Sequence, residues 1–325
     1  MRQPRSTASA PAAARAGAAR IVLVRPRGFC AGVDRAIAIV ERALEKFGAP
    51  VYVKHAIVHN RHVVERLQAL GAVFVEELPD VPAGARVIFS AHGVAPSVHE
   101  QARLAGLNVL DATCPLVTKV HVEARRYAKE DRTVFLVGHA DHVEVIGTRG
   151  EAPRHIQVIG TVEEAERVQA ADPGRVAYLT QTTLSLDDTR AIVEVLKRRF
   201  PALTGPAKDD ICYATQNRQN AVQALAREAD VILVVGSSNS SNSNRLVEVA
   251  KARGVPAYLV ESHRELRPEW LAGRSCIGIT AGASAPEDIV QALVSHIART
   301  YGACVEERDV IPENVSFPLP SGLTE

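Results

Sequence analysis

The chain has 325 residues, 46% of them hydrophobic and 23% charged, within the range of a globular protein of two or three domains or one larger assembly. Its 38 basic and 37 acidic residues nearly cancel and aromatics make up only 4%, which argues against nucleic-acid and membrane-surface partners. No apolar run approaches the roughly 20 residues of a spanning helix, and no secretory signal is present, so the five cysteines imply a reducing, cytoplasmic setting with thiols free for metal.

In chain order, residues 1–20 carry arginines, no acids and no apolar core, and read as a disordered tail. A transit peptide shares that look but is usually longer and amphipathic. IVLVRP (Ile21 to Pro26) then predicts a buried strand leading to Cys30. Val33, Ile37, Val40, Leu44 and Phe47 recur at helical spacing, and Gly48 stops that helix. VYVKHAIV, AVFV, VIFSAHG, FLVG, VAYLT, DVILVVG, AYLV and CIGITAG are further strand candidates, several separated by helical patterns. That alternation predicts an α/β fold with parallel sheets. VEVIGTRG, after His142, shows no clear helix, and the Pro-rich stretch after Cys304 reads as a surface tail.

Three cysteines give the alternation a repeat. Cys30, Cys114 and Cys212 each follow an extended run and open a helical pattern, at intervals of 114 − 30 = 84 and 212 − 114 = 98 residues. A first polar strand-end loop follows each cysteine at His59 (59 − 30 = 29), His142 (142 − 114 = 28) and Ser240 (240 − 212 = 28). A second follows at His92, Thr182 and Ser284, after 62, 68 and 72 residues (92 − 30, 182 − 114, 284 − 212). The expected units are 21–107, 108–205 and 206–303, with 304–325 as the C-terminal tail. Packed around a pseudo-threefold axis, they aim three thiols and six polar loops at one cavity, at the strand ends where open α/β sheets bind ligands.

Three thiolates from distant segments can hold an iron–sulfur cluster and leave its fourth metal position open. Zinc is the rival, but its short Cys-x2-4-Cys spacing is absent. Cys276 and Cys304 fall outside the repeat and read as packing residues. The loop Gly236 to Asn244, rich in serine and asparagine before a helical pattern, suits an uncharged anion cradle. Its plainer reading is a solvated loop with Ser243 or Asn244 as N-cap. Ser284 poses the same choice, because Ser284-Ala285-Pro286-Glu287 spells a capping box. His59 and His92 add donors that can become cationic beside an anion. His139, His142 and Glu144 resemble a metal cluster, but without a helical frame the spacing is not diagnostic. Glu144 is better read as a general acid, with His142 nearby and the Thr182 hydroxyl completing a relay. Nucleotide, nicotinamide and common hydrolase motifs are absent.

Together PRGFCAGVDRAI, VHNRHVVE, FSAHGV, DATCPLVTKVH, TQTTLS, DDICYAT, VVGSSNSSNSNRL and ITAGASAP resemble the 4-hydroxy-3-methylbut-2-enyl diphosphate reductase (LytB-type) family, from about Ile21 to Ser316. The resemblance implies a trefoil of three α/β units around a [4Fe–4S] cluster, seen as [3Fe–4S] where the apical iron is lost. It implies reductive removal of a hydroxyl from an allylic diphosphate, giving isopentenyl and dimethylallyl diphosphates. Carried over residue by residue, it makes Cys30, Cys114 and Cys212 the cluster ligands. His59, His92, His142, Thr182, Ser240, Ser241, Asn242 and Ser284 become substrate-binding positions, and Glu144, with His142 and Thr182 beside it, delivers the proton. Val143 stands where well-known relatives have proline, a departure that bears on the Glu144 loop. Because the chain carries no flavin or nicotinamide motif, an external donor such as ferredoxin or flavodoxin is expected. The rivals are a redox-neutral cluster dehydratase, a condensing enzyme of the quinolinate synthase kind, and a non-catalytic iron–sulfur sensor.

Overall fold

Strands and helices alternate through nearly the whole chain in the computed structural model, which describes residues 19–323. The expected N-terminal tail lies outside the described residues, except that Arg20 already begins a strand. The first stretch gives β1 (Arg20–Arg25), α1 (Ala31–Phe47), β2 (Val51–Lys54), α2 (Arg61–Ala69), β3 (Ala72–Val75), β4 (Arg86–Phe89), α3 (Pro96–Leu104) and β5 (Asn108–Asp111). The middle gives α4 (Pro115–Lys129), β6 (Thr133–Val137), α5 (Val143–Glu151), β7 (Ile156–Ile159), α6 (Val162–Arg167), β8 (Val176–Thr180) and α7 (Leu186–Arg199). The last gives α8 (Tyr213–Leu225), β9 (Val231–Val235), α9 (Ser241–Ala252), β10 (Ala257–Val260), α10 (Pro268–Leu271), β11 (Cys276–Ala281), α11 (Glu287–Tyr301) and β12 (Cys304–Asp309).

These strands form three sheets, ordered β10-β9-β11-β1-β12, β3-β2-β4-β5 and β7-β6-β8, and every strand pair within them is parallel. Parallel strands need helical crossovers, and helices on both faces explain why β9 and β11 are buried along their whole length. The expected parallel α/β architecture is therefore present.

Strand pairing divides the chain differently from the cysteine repeat. β1 does not join the strands that follow it; it lies between β11 and β12, with Arg20 opposite Cys276 on one side and Cys304 on the other. Ile21 to Val24 are buried on both faces, so β1 needs a neighbour on each edge. β5, just beyond the first expected unit, completes the sheet of β2 to β4. The expected C-terminal tail opens with a strand, β12, at the sheet edge, where its CVEERD sequence keeps Cys304 exposed rather than packed. Leu319 and Leu323 then pack into the core beneath α1.

α5 also departs from expectation, because VEVIGTRG is helical. Its glycines weaken the helical signal and serve packing instead. A Cβ on Gly150 would stand 2.2 Å from the Ala95 side chain, and one on Gly147 3.1 Å from Gly93 O. Bare backbone lets α5 press against the loop that carries His92.

Candidate active site

Cys30, Cys114 and Cys212 occupy one structural position three times over, as the N-cap residues of α1, α4 and α8. Their main-chain N–H groups repeat a second pattern. Cys114 N–H donates to Ala91 O at 3.0 Å, Cys212 N–H to Thr182 O at 3.1 Å, and Cys30 N–H to Ala283 O at 3.2 Å. Each acceptor belongs to the second polar loop of the preceding cysteine's segment, so the three connections close a ring. The threefold pattern of the sequence thus returns as hydrogen bonding.

One pocket of about 110 Å³ lies at the centre of that ring. Its walls include Cys30, Cys114 and Cys212, then His59, His92, His142, Glu144, Thr182, Ser240, Ser241, Asn242 and Ser284. Every residue singled out from the sequence for metal, substrate or proton faces the same space. His139 does not; its Nε2 accepts from Arg245 at 2.8 Å outside the pocket wall.

Burial decides the state of the thiols. A helix N-terminus favours thiolate, and main-chain N–H groups of Gly32 and Val33 do lower Cys30, as those of Leu116 and Val117 lower Cys114. Desolvation outweighs them, raising Cys30 and pushing Cys114 up to about 12 and Cys212 up to about 11. The simple helix-terminus expectation fails because the N-caps are buried. Such thiols ionise only against a positive group that displaces their protons. The trio is not gathered as ligands of a single ion: no set of three or more His, Cys, Asp or Glu side chains among the described residues could hold one. A Cβ on Gly32 would meet Cys114 Sγ at 2.7 Å and Cys30 Sγ at 3.9 Å, so the missing side chain keeps the space between two thiols open. Separated thiols around a kept void fit a polynuclear iron–sulfur group better than a single zinc ion.

Glu144, in the first turn of α5, is 3% exposed. Its Oε1 accepts from Thr182 N–H at 2.6 Å and its Oε2 from the Thr182 hydroxyl at 2.9 Å. Burial pushes this carboxyl up to about 7, although both Thr182 bonds pull the other way. A carboxyl in that range can carry and release a proton near neutrality.

Three imidazoles form the neighbouring wall. The His59 and His92 rings stand 4.1 Å apart between centroids, and His142 lies 5.3 Å from His59. His142 Nδ1 accepts from Glu144 N–H at 3.2 Å, so any proton on a neutral ring sits on Nε2, which is buried without a partner. Both His59 nitrogens are likewise unpartnered. Desolvation holds His92 well below the usual histidine range and His142 at about 4, and lowers His59; repulsion from His59 adds to His92 and His142, and repulsion from His55 adds to His59. These orphaned donors await an acceptor.

The Ser/Asn loop supplies the opposite wall, and its N-cap is Ser240 rather than Ser243 or Asn244. Ser240 Oγ accepts from Ser243 N–H at 3.3 Å and from the Ser243 hydroxyl at 3.0 Å, leaving its own proton for a ligand. Asn242 Oδ1 accepts from Ala283 N–H at 2.8 Å, while Nδ2 donates to Thr215 Oγ1 at 3.3 Å and retains one proton. Ser241 Oγ accepts from Thr183 Oγ1 at 3.1 Å. Ser284 forms no capping box, because α11 begins only at Glu287 with Pro286 as N-cap. Its hydroxyl donates instead to His59 O at 3.0 Å. The sequence reading missed Gly32, Thr183 and Thr215; Thr215, three residues after an N-cap, was the one with a recognisable spacing.

Parallel sheets that present three N-cap thiols, a buried acid and an uncharged anion cradle to one pocket define an α/β enzyme for a small anionic substrate. The LytB protein family profile matches residues 21–298, and the chain belongs to that family. A 4-hydroxy-3-methylbut-2-enyl diphosphate reductase of Azoarcus sp. is 56% identical over 94% of this chain and 98% of its own length. The Bordetella pertussis protein of the same name is also 56% identical, with 94% of each chain covered. Among solved structures, the E-1-hydroxy-2-methyl-but-2-enyl-4-diphosphate reductase from Plasmodium falciparum matches with a TM-score of 0.92 at 41% identity, covering 94% of this chain and 97% of that one. A second, titled as the terminal enzyme of the non-mevalonate pathway, matches with a TM-score of 0.62 at 35% identity, covering 86% and 99%.

Proposed function

We propose that this chain removes the hydroxyl of (E)-4-hydroxy-3-methylbut-2-enyl diphosphate reductively, giving isopentenyl and dimethylallyl diphosphates as the last step of the non-mevalonate pathway. The observation that carries the reading is the Glu144–Thr182 pair, a buried acid poised near neutrality in the pocket that three cysteine thiols share. The names of the relatives, over nearly the full chain, agree with it. Cys30, Cys114 and Cys212 would hold a [4Fe–4S] cluster, whose open iron site supplies Lewis acidity and one-electron steps when bound. Electrons come from outside, from a small carrier such as ferredoxin or flavodoxin.

The chain's own residues bind, orient and protonate. The diphosphate takes protons from Ser240, from the free Nδ2 hydrogen of Asn242 and from the unpartnered nitrogens of His59 and His142. Ser284 has one proton, given to His59 O in the free pocket, and contacts phosphate by turning that O–H away from the carbonyl. Anchoring the diphosphate end holds the hydroxymethyl end toward the thiols. Glu144 passes its proton to the departing hydroxyl, directly or through the Thr182 hydroxyl bonded to Oε2; water leaves as the two electrons from the external carrier go to the allylic carbons, and a second proton taken up at one or the other end of the allyl unit gives the two products. The apolar side chains of Val33, Val58 and Leu116 keep bulk water from competing for that proton.

The test is anaerobic oxidation of a one-electron reductant by the reconstituted protein with this allylic diphosphate, with both products identified. Consumption of two electrons of reductant per turnover and formation of isopentenyl and dimethylallyl diphosphates is expected. Elimination of water without reductant consumption would indicate a dehydratase, and tight binding with no turnover a sensor.

A further inference from the structure

Each of the three cysteine helices carries a cation one and a half turns in, and each cation reaches the main chain just ahead of the next cysteine. Arg35, five residues after Cys30 on α1, donates through Nη1 to Ala112 O at 3.3 Å and Thr113 O at 3.1 Å, immediately before Cys114. Lys119, five residues after Cys114 on α4, donates through Nζ to Lys208 O, to Asp209 O at 3.1 Å and to Asp210 Oδ1 at 3.0 Å, two to four residues before Cys212. Arg218, six residues after Cys212 on α8, donates through Nη2 to Gly28 O at 2.7 Å and Phe29 O at 3.2 Å, immediately before Cys30.

We propose that Arg35, Lys119 and Arg218 are positioning residues for the cluster, each fixing the approach of the next thiol so that the three N-caps are locked as a closed ring. The inference rests on the cluster reading of the preceding subsection. Its physical basis is main-chain geometry. A carbonyl held by a cation fixes the peptide plane, and two held in succession fix the path into the N-cap from which the thiol projects. The direction is the same at all three corners, which a set of unrelated surface ion pairs would not produce. Arg35 also donates to Pro318 O at 2.9 Å, and Arg218 bonds the Glu313 carboxylate, so the C-terminal segment braces two corners from outside.

Arg218 is fully buried, and its loss threatens folding, so the test uses Arg35→Met and Lys119→Met, with Arg35→Lys and Lys119→Arg as conservative controls. Two quantities are read on the full chain: the rate at which a chelator strips iron from the reconstituted protein, and the alkylation rate of each cysteine in the cluster-free protein by mass spectrometry. Loss of a supporting partner costs metal sites roughly 10–100-fold in affinity, so the methionine variants should release iron faster on that scale while the conservative ones fall between. In the cluster-free protein, Arg35→Met should speed alkylation at Cys114 several-fold and Lys119→Met at Cys212, each leaving the other two thiols near wild-type rates. Wild-type iron release in both variants overturns the proposal. So does equal acceleration at all three cysteines, tracking a lowered melting temperature. A wild-type protein that takes up no iron and sulfide at all would instead sink the cluster reading, and this proposal with it.

Discussion

Glu144 and Thr182 meet through two contacts at once, the threonine N–H on one carboxylate oxygen and its hydroxyl on the other, at 2.6 and 2.9 Å. The carbonyl oxygen of the same threonine accepts the N–H of Cys212. The acid and one thiol therefore share a single anchoring residue. Replacing Glu144 with glutamine keeps size and one acceptor but removes the transferable proton. Turnover should fall by roughly 10²- to 10⁴-fold, the usual worth of general acid catalysis, while the dissociation constant for the diphosphate changes little. Pre-steady-state kinetics with calorimetric binding checks both; normal turnover would remove Glu144 from the chemistry.

The acid also sets a pH dependence. The carboxyl is raised from 4.5 to about 7, so the folded protein holds its proton more tightly than the unfolded chain does. That contribution to stability is complete below the unfolded value and is lost as pH rises through about 7. Turnover should decline over the same upper limb, because the deprotonated form has nothing to deliver. A rate profile that is flat from pH 6 to 8 contradicts the assignment.

The histidines predict proton uptake on binding. His59, His92 and His142 are depressed by burial and by neighbouring imidazoles, so they are neutral in the free pocket at pH 7. A diphosphate beside them favours their charged forms and raises those pKa values. Binding should then take up protons, and affinity should weaken as pH rises. Calorimetry in buffers of different ionisation enthalpy measures the uptake; none at pH 6.5 would place the anion elsewhere.

Gly32→Ala isolates the space between the thiols. Alanine is favoured over glycine by roughly 1 kcal/mol within a helix, so the cluster-free protein should not lose stability on propensity grounds. The new Cβ would stand 2.7 Å from Cys114 Sγ and must displace it. The variant should fold yet fail to retain most of its iron, as should Cys114→Ser, which should lose brown colour and activity together. Full iron content in Gly32→Ala would show that the cluster sits clear of α1.

Asn242 tests the cradle. Its side chain satisfies the buried N–H of Ala283 and donates to Thr215, whose N–H in turn points at Cys212 Sγ at 3.4 Å. Asn242→Ala leaves the Ala283 N–H unpaired, at a cost of about 1–3 kcal/mol in unfolding free energy, and should weaken diphosphate binding as well. Denaturant titration and binding of inorganic diphosphate separate the two effects.

The candidate site was unusually legible because its chemistry repeats. Three cysteines at helix starts and six polar loops at strand ends announce themselves by spacing, and all twelve singled-out residues line one pocket. What escaped was set by contacts between distant segments. Nothing local in Ile21 to Val24 says that their strand neighbours lie 256 residues away in β11 (277 − 21) and 284 away in β12 (305 − 21). Gly147 and Gly150 argue against a helix until the loop they press upon is known. The state of the thiols was hidden for a related reason: the helix ends are visible in the sequence, but the burial that outweighs them is not.

The threading of β1 between β11 and β12 has a consequence for how the protein is made. During synthesis the first strand emerges long before either partner, and a ribosome that has not passed Asp309 has not supplied the second. Cys30 hangs from that strand by five residues. Assembly of the pocket that Cys30 shares is thereby deferred until β12 has been made, and a product terminated before that strand lacks the means to hold its first thiol in place.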